Sequence, residues 1–282
     1  MKKILITGAG SYIGTSFEKW VSQWPNKYEV ETIDMRENQW KDKSFSSYDV
    51  IYNIAAIVHV KENDTERYFS VNRDLAVEVA KKAKREGVKQ FIFLSTMGVY
   101  GKETGFMDEN SNPNPKTPYA KSKLEAESLL SELADDSFRV ATLRPPIVYG
   151  KDCRGNYPRL ASIALKVPVF PKVKNERSMI FIDNLSEFVR LTIDKELSGL
   201  CFPQNKEYVN TTELVQLIAK AHGKELKATG IFNPFVSLGI KMSETFAKVF
   251  GSFVYDKMMP GGPSEFDYET CSFRETIERT EK

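Results

Sequence analysis

The sequence contains few of the residues that build disulfide frameworks and metal centres. Its 282 residues include three cysteines and two histidines. Cys153, Cys201 and Cys271 are far apart, odd in number and without metal-ligand spacing, which argues against a disulfide scaffold or a zinc motif. This usage is typical of reduced thiols in the cytoplasm, and the sequence predicts no metal site.

The chain also lacks a strong net charge and a long apolar run. Its 40 basic and 38 acidic residues leave a formal charge of +2, so no general attraction to nucleic acid or to a membrane surface is expected. No stretch of about 18 apolar residues is present to span a bilayer. The apolar run near Met1 is interrupted by Gly8 and is too short for a signal peptide. We therefore expect a cytoplasmic protein with neither nucleic acid nor a membrane as partner.

Glycines are concentrated where the first predicted strand ends. Apolar residues 4–6 predict a buried parallel strand, and a helical pattern begins near Tyr12. Glycines let a backbone approach a ligand closely, and the free N–H groups at a helix start favour an anion. This order of elements is typical of a dinucleotide-binding turn. The residues predicted to contact the pyrophosphate are Gly8, Gly10, Ser11, Tyr12, Ile13 and Gly14.

The second predicted strand, residues 28–34, ends in an acidic residue. The Asp34 carboxylate can accept hydrogen bonds from both ribose hydroxyls of an adenosine, which favours NAD. Arg36 lies two residues further on, where its guanidinium could instead neutralise a 2′-phosphate. The sequence predicts NAD, with NADP as the alternative.

Apolar strands alternate with amphipathic helices over the first 150 residues. Strands are expected at 49–58, 89–94 and 138–143, with helices at 65–86 and 118–133, and the polar segment 36–48 shortens one crossover. This pattern predicts an α/β fold with a doubly wound parallel (Rossmann) sheet and a smaller C-terminal substrate-binding lobe. Ala55 and Ala56 would let the backbone pass close to a ribose or nicotinamide, or would simply pack tightly. His59, which follows, is either structural or a substrate contact.

The pattern changes after Gly150. Helices are expected at 156–166, 183–195, 211–222 and 234–250, and a strand at 177–182. We assign residues 1–152 to the cofactor-binding domain, with 178–199 returning to it. Residues 153–177 and 200–282 are assigned to the small substrate-binding lobe.

Two polar side chains share one face of the predicted helix 118–133. Tyr119 and Lys123 are four residues apart. A tyrosine is a poor acid–base catalyst at neutral pH unless a neighbouring ammonium stabilises its phenolate. The hydroxyl of Thr96, at the end of a neighbouring strand, could bond the substrate oxygen whose proton Tyr119 handles. These three residues are the predicted catalytic group.

Together these motifs resemble an extended short-chain dehydrogenase/reductase of the nucleotide-sugar epimerase/dehydratase group. The resemblance assigns the catalytic threonine to Thr96, in STMGVYG, and the tyrosine and lysine to Tyr119 and Lys123. It assigns to Asn72, in YFSVNRD, the asparagine that holds the active-site helix and a water, and Asn72, Tyr119 and Lys123 are also expected to bind the cofactor. The family's turn usually reads G-x-x-G-x-x-G, and here Ser11 replaces the middle glycine; its hydroxyl could bond a phosphate oxygen.

The resemblance also implies a substrate site. Pro146, in RPPIVYG, is expected near the nicotinamide. Arg177, in RSMIFIDNL, resembles the arginine that grips the sugar-nucleotide pyrophosphate, and Asn156 resembles an asparagine that contacts the substrate phosphates. Thr96 and Met97 are expected to contact the sugar.

The resemblance implies hydride transfer at C4 of a nucleotide-linked sugar, with a UDP sugar as substrate. The small lobe favours an NAD(P)H-dependent reductase of a 4-keto sugar nucleotide, serving cell-surface polysaccharide precursors. The alternative is a UDP-sugar 4-epimerase with tightly bound NAD. Dehydration is disfavoured, since Met97-Gly98 replace the acidic pair of that branch, and a non-catalytic dinucleotide sensor is disfavoured by the Tyr–Lys pair. A homodimer through helices 65–86 and 118–133 is expected by analogy.

Overall fold

The computed structural model describes residues 1–58 and 64–282. His59 lies outside the described residues. The strands are β1 (Lys2–Thr7), β2 (Tyr28–Ile33), β3 (Val50–Asn53), β4 (Gln90–Leu94), β5 (Gly105–Met107), β6 (Arg139–Leu143), β7 (Ile147–Tyr149), β8 (Val169–Pro171), β9 (Met179–Phe181), β10 (Gly199–Cys201), β11 (Lys227–Thr229) and β12 (Phe253–Tyr255).

The helices include one π-helical segment (Ser70–Leu75) and one 3₁₀ segment (Met97–Tyr100). The α-helices are α1 (Tyr12–Val21), α2 (Gln39–Asp42), α3 (Thr65–Phe69), α4 (Ala76–Arg85), α5 (Pro118–Ser131), α6 (Asn156–Lys166), α7 (Ile182–Asp194), α8 (Thr211–Ala221), α9 (Asn233–Met242), α10 (Glu244–Phe250) and α11 (Phe273–Glu281).

Six strands form one sheet in the order β10–β6–β4–β3–β1–β2, and all of its pairings are parallel. The chain passes from β1 to β2 on one side and then to β3 on the other, so the strand order reverses between β1 and β3. In open α/β sheets, ligands bind at this switch point, outside the carboxyl ends of the strands. The predicted doubly wound parallel sheet is confirmed.

The strands of this sheet are buried, as expected where helices cover a parallel sheet. Ile4, Leu5 and Ile6 have no exposed surface. On one face, side chains of β1, β3 and β4 pack in a single cluster with residues of α4 and α5, including Val79, Ala80, Ala126 and Leu130. The packed strands and helices give the carboxyl edge of the sheet a rigid support.

Several predicted elements differ in detail from the observed ones. The shortened crossover is confirmed, since α2 has four residues. The single helix expected at 65–86 is interrupted by the π-helical segment, a feature that often occurs at functional sites. Helix α7 begins at Ile182, one residue before the predicted start at 183, so Asp183 lies in its first turn.

The C-terminal region contains two corrections. The single helix predicted at 234–250 was wrong, because Ser243 is extended (φ −141°, ψ 122°) and separates α9 from α10. Helix α11 was not predicted. Its signal was present in the sequence: Ser272 accepts a hydrogen bond from the Glu275 amide, in the Ser-x-x-Glu pattern of a capping box.

The chain divides into two compact units. The first contains Met1–Gly101, Asn112–Pro145 and Ser186–Pro203, and the second contains Lys102–Ser111, Pro146–Leu185 and Gln204–Lys282. The second unit contains residues 102–111, 146–152 and 178–185, which the sequence assigned to the first, and the segment that returns to the first unit is Ser186–Pro203 rather than 178–199. No helix in the described residues is long and apolar enough to cross a membrane.

Candidate active site

The glycine-rich turn joins β1 to α1 at the carboxyl edge of the sheet. Gly8 has a φ of +92°, and a Cβ there would lie 3.1 Å from the backbone of Ala55. A Cβ on Gly14 would lie 2.6 Å from Cδ1 of Ile54. Glycine is therefore needed at both positions, once for backbone conformation and close approach and once for the packing of α1.

Ser11, the departure from the family's glycine pattern, is the N-cap of α1. Its Oγ accepts a hydrogen bond from the Gly14 amide at 3.3 Å, and its own amide donates to the Gly8 carbonyl at 3.2 Å. A phosphate oxygen was the partner predicted for this hydroxyl. The structure gives the hydroxyl a capping bond within the turn.

Asp34 follows β2 and binds Arg36. Its carboxylate accepts hydrogen bonds from the Arg36 amide at 2.9 Å and from Nε at 2.9 and 3.0 Å. This hydrogen bonding lowers the pKa of Asp34 to about 2, so the carboxylate is ionised at neutral pH. A ribose hydroxyl that binds Asp34 would have to share this carboxylate with Arg36.

A polar pair at the ends of β1 and β3 was missed in the sequence analysis. The Thr7 hydroxyl donates to Oδ1 of Asn53 at 2.8 Å, and the Ala55 amide donates to Thr7 Oγ1 at 3.4 Å. Asn53 Nδ2 is buried and has no hydrogen-bond partner among the described residues. The signal was the presence of polar residues at the ends of two adjacent, otherwise apolar strands.

Asn72 connects the loop after β3 to helix α5. Its Oδ1 accepts from the Ile57 amide at 2.8 Å, and its Nδ2 donates to the Ile57 carbonyl at 3.0 Å and to Ser122 Oγ at 3.2 Å. Asn72 lies in the π-helical segment and is fully buried. The side chain thus holds the active-site helix against the loop that contains Ala55 and Ala56.

Thr96 and Tyr119 come together at the carboxyl end of β4. Thr96 Oγ1 accepts the Gly98 amide at 3.0 Å and caps the 3₁₀ segment. Burial raises the pKa of the Tyr119 phenol to about 12, although a hydrogen bond with Thr96 acts in the opposite direction. Tyr119 therefore carries its proton at neutral pH and can donate it.

Lys123 is buried below Tyr119 on the same helix. Its ammonium donates to the Leu94 carbonyl at 2.8 Å and lies 4.5 Å from the centre of the Phe93 ring. Burial lowers the pKa of Lys123 to about 7, while Glu127 acts in the opposite direction. The ammonium thus has the Leu94 carbonyl as its hydrogen-bond acceptor in this structure, and the stabilisation of the Tyr119 phenolate stays a prediction.

One turn further along α5, Glu127 forms a buried ion pair with Arg144. The guanidinium Nε lies 3.1 Å from both carboxylate oxygens, and a second nitrogen lies 2.5 Å from Oε2. Arg144 also donates to the Tyr100 hydroxyl at 3.1 Å, and Ser95 donates to Glu127. Through Ser95 this network adjoins Thr96 in the chain, and Glu127 lies one turn after Lys123 on α5; the partners of Glu127 are far from it in sequence, so no local pattern predicted the network.

The residues predicted to bind the substrate differ in burial and in the compact unit to which they belong. Met97 is buried, and its amide donates to the Pro145 carbonyl at 2.9 Å. In the second unit, Pro146 is buried before β7, and Asn156 is exposed as the first residue of α6.

Arg177, also in the second unit, is 8% exposed. It donates to the carbonyls of Gly251 at 2.9 Å and Ala247 at 3.3 Å, at the end of α10. Among the described residues, its buried Nε has no hydrogen-bond partner.

The model of the NAD dependent epimerase/dehydratase family matches residues 4–200. The chain belongs to the NAD-dependent epimerase/dehydratase family. It is thus an enzyme of this family, as the sequence motifs predicted.

Two relatives of this epimerase/dehydratase family member cover most of its length. A UDP-glucose 4-epimerase of Vibrio cholerae is 30% identical over 79% of this chain and 76% of its own. An N-acetyl-alpha-D-glucosaminyl-diphospho-ditrans,octacis-undecaprenol 4-epimerase of Escherichia coli O157:H7 is 27% identical over 88% of this chain and 81% of its own.

Among solved structures, a UDP-glucuronic acid 4-epimerase of Bacillus cereus in complex with NAD has the same fold. It aligns with 99% of this chain and 97% of its own at a TM-score of 0.75, with 19% sequence identity. NAD is the cofactor of this family, and the residues present fit it. Gly8 and Gly14 leave no room for a side chain, and no atom lies within 4 Å of a Cβ built on Gly10. The turn is therefore open beside the start of α1.

Proposed function

We propose that this enzyme is a 4-epimerase of a diphosphate-linked sugar, with a UDP sugar as its substrate. The observation that carries the proposal is the Thr96–Tyr119 pair, next to a dinucleotide-binding turn. The two relatives that cover most of the chain are named as 4-epimerases, which supports inversion at C4 over the reduction that the small lobe favoured. The products would serve cell-surface polysaccharide precursors.

Tyr119 is the proposed acid–base catalyst. When bound, NAD supplies the acceptor and donor of hydride for C4. Tyr119 takes the proton of the 4-hydroxyl as the C4–H bond breaks, and returns it to the 4-keto oxygen when hydride adds to the other face. Thr96 hydrogen-bonds the same substrate oxygen and holds it at the phenol. Each proton and hydride removed is returned, so the reaction has no net redox change.

Lys123 has two proposed roles. Lys123 is 2% exposed and lies on α5 one turn after Tyr119, so a positive charge on its side chain favours the phenolate form. It can also donate to a ribose hydroxyl of the cofactor. The ammonium donates one hydrogen bond to the Leu94 carbonyl in this structure, and its three N–H groups allow further bonds in these roles.

Arg177 is the proposed contact of the substrate diphosphate. Burial lowers its pKa below the usual arginine value, and a distant carboxylate, Glu103, acts in the opposite direction. Carbonyl groups alone hold its guanidinium, so its charge has no hydrogen-bonded carboxylate among the described residues. A phosphate oxygen would supply the missing charge and a partner for Nε. Asn156 is proposed as a second phosphate contact.

A 4-keto reductase is the second candidate. The observation that favours it is the raised pKa of Tyr119, about 12, because a protonated phenol is ready for reduction and must first lose its proton for oxidation. The homodimer through helices 65–86 and 118–133, and the role of the second unit as a substrate-binding lobe, stay proposals.

Product analysis distinguishes the two reactions. The enzyme is incubated with UDP-glucose, UDP-galactose and their N-acetylhexosamine analogues plus NAD, and the sugars are separated by chromatography. We expect interconversion of a 4-hydroxy pair without net change in cofactor absorbance. Stoichiometric oxidation of NADH or NADPH by a 4-keto sugar nucleotide would instead establish the reductase. Absence of both reactions would overturn the proposal.

A further inference from the structure

Exposed apolar side chains are concentrated on α9, α10 and the residues before them. Fifteen large apolar side chains are exposed in the described parts of the chain, and six of them lie between residues 231 and 246. We call these six the α9–α10 surface: Ile231, Phe232, Phe235, Leu238, Met242 and Phe246. Single exposed apolar residues are ordinary, but a cluster of this kind marks an interaction surface.

The spacing of these residues places them on one side of a helix. Phe235, Leu238 and Met242 follow an i, i+3, i+7 pattern, and they are 74%, 56% and 78% exposed. The inner side of the same helix is also apolar, since Val236 is buried. Ser237 and Lys241 are exposed polar residues of α9, but the three large apolar side chains give its outer side far more apolar surface than an ordinary surface helix has.

The surface is held in shape by packing within the second unit. A Cβ on Gly239 would lie 2.5 Å from the Phe246 ring, so this ring rests directly on the backbone of α9. Phe246 also packs on Phe250 at 5.8 Å between ring centres. Arg177 holds the last carbonyls of α10, so the two helices form one preformed element.

Two lysines adjoin the surface in the sequence. Between residues 226 and 243 the only charged side chains are Lys227 and Lys241. Helix α10 adds Glu244 and Lys248, and Lys248 forms an ion pair with Glu103 at 3.4 Å, so the remaining excess of charge is positive. A second copy on this face would bring its lysines close to one another, whereas anionic headgroups would attract them.

We propose that the α9–α10 surface docks this enzyme onto the surface of an anionic lipid bilayer. Phe235, Leu238 and Met242 would enter the boundary between headgroups and acyl chains, and Lys227 and Lys241 would remain at the headgroups. Helix α9 has 10 residues, too few to span a bilayer, so it lies in the interface. The net charge of the whole chain is close to zero, and for that reason the sequence predicted no membrane partner. A net charge for the whole chain does not reveal a local excess of lysines beside one apolar surface.

Vesicle flotation tests the proposal. The full-length enzyme is mixed with vesicles of equal parts phosphatidylcholine and phosphatidylglycerol, or of phosphatidylcholine alone. We expect flotation with the anionic vesicles that weakens as salt is added. The variant Phe235→Ser/Leu238→Ser/Met242→Ser should lose at least about a hundredfold in affinity, with unchanged circular dichroism. Lys241→Gln should lose about fivefold.

A matched control tests whether vesicle binding depends on the α9–α10 surface or on exposed apolar side chains in general. Phe106→Ser/Leu165→Ser/Leu200→Ser removes three other exposed apolar side chains and should float as the wild type does. The proposal is overturned if the wild type does not float, or if the two triple variants float equally. It is also overturned if the α9–α10 variant converts an oligomer to a monomer and the wild type binds no vesicles, since the surface then joins two copies.

Discussion

At the scale of single residues, the proposed chemistry depends on two side chains of α5, Tyr119 and Lys123, and on their protons. Burial raises the pKa of Tyr119 and lowers that of Lys123, and the shifts are to about 12 and about 7. Both shifts favour the neutral forms. The two groups therefore need bound ligands or movement of the Lys123 ammonium before Tyr119 can act as a base.

Replacing Tyr119 tests its role directly. Tyr119→Phe keeps the ring, which packs near Tyr68 at 6.5 Å, and removes only the hydroxyl. We expect turnover to fall by about 10²–10⁴ while NAD binding, measured by calorimetry, is unchanged. Tyr68→Phe is the matched control and should retain most activity. Near-normal turnover of Tyr119→Phe would show that another group transfers the proton.

Lys123 should make stability depend on pH. Its pKa falls from 10.5 to about 7 on folding, so between these values the unfolded chain binds a proton that the folded chain does not. The free energy of unfolding contributed by this site therefore rises with pH, by at most about 1.4 kcal/mol per unit. For Lys123→Met, the free energy of unfolding measured by urea denaturation should not show this rise between pH 7 and 9.5.

The control for this pH series is Lys121→Met, which removes an exposed lysine from the same helix. Its curve of stability against pH should run parallel to that of the wild type. If the Lys123→Met curve is also parallel to the wild type, Lys123 is charged in the folded protein throughout this range.

At the scale of elements, the Glu127–Arg144 pair joins α5 to the end of β6. Both side chains are almost fully buried. Glu127→Gln leaves the Arg144 charge without its carboxylate, and we expect a loss of about 3–5 kcal/mol in the free energy of unfolding. Glu125→Gln on the same helix breaks an exposed pair with Arg73 and should cost at most about 1 kcal/mol.

A double variant completes this test. Glu127→Leu/Arg144→Met removes both charges and should recover much of the stability lost in Glu127→Gln. Equal costs for Glu127→Gln and Glu125→Gln in denaturant titrations would show that the buried pair is not what holds α5.

The cap of α1 gives a second prediction for an element. Ser11→Ala removes the hydrogen bond to the Gly14 amide and should cost about 1 kcal/mol, whereas Ser11→Gly should cost only a few tenths. Urea denaturation measures both. If alanine and glycine prove equal to serine, the capping bond contributes nothing and the hydroxyl is available for a phosphate.

At the scale of the whole molecule, cofactor binding should raise the stability of the folded chain. A ligand whose concentration is about 100 times its dissociation constant adds about 2.7 kcal/mol to the free energy of unfolding. The ionised Asp34 carboxylate repels a 2′-phosphate, so NAD should raise the melting temperature more than NADP at equal concentration. Asp34→Asn should reduce the difference between the melting temperatures measured with NAD and with NADP. A larger rise with NADP would show that the exposed Arg36 guanidinium governs the choice.

Much of the fold could be predicted because its signals are local. The apolar strands, the glycine turn and the i, i+4 pair of Tyr119 and Lys123 are all read from neighbouring residues. The interruption between helices α9 and α10 at Ser243 was not predicted, because the apolar pattern of the sequence continues on both sides of that residue. The partners of Asn72, which are far from it in sequence, could not be read from any local pattern.

By itself, the sequence determined the alternating strands and helices, the dinucleotide-binding turn and the identity of the catalytic candidates, since periodicity and motif spacing carry this information. The tertiary structure alone decided where the charges lie. In the folded chain the Lys123 ammonium donates to the Leu94 carbonyl and the Ser11 hydroxyl accepts from the Gly14 amide. Glu127 forms an ion pair with Arg144. These contacts depend on which backbone groups packing brings within hydrogen-bond distance, and on how far burial removes each charge from water.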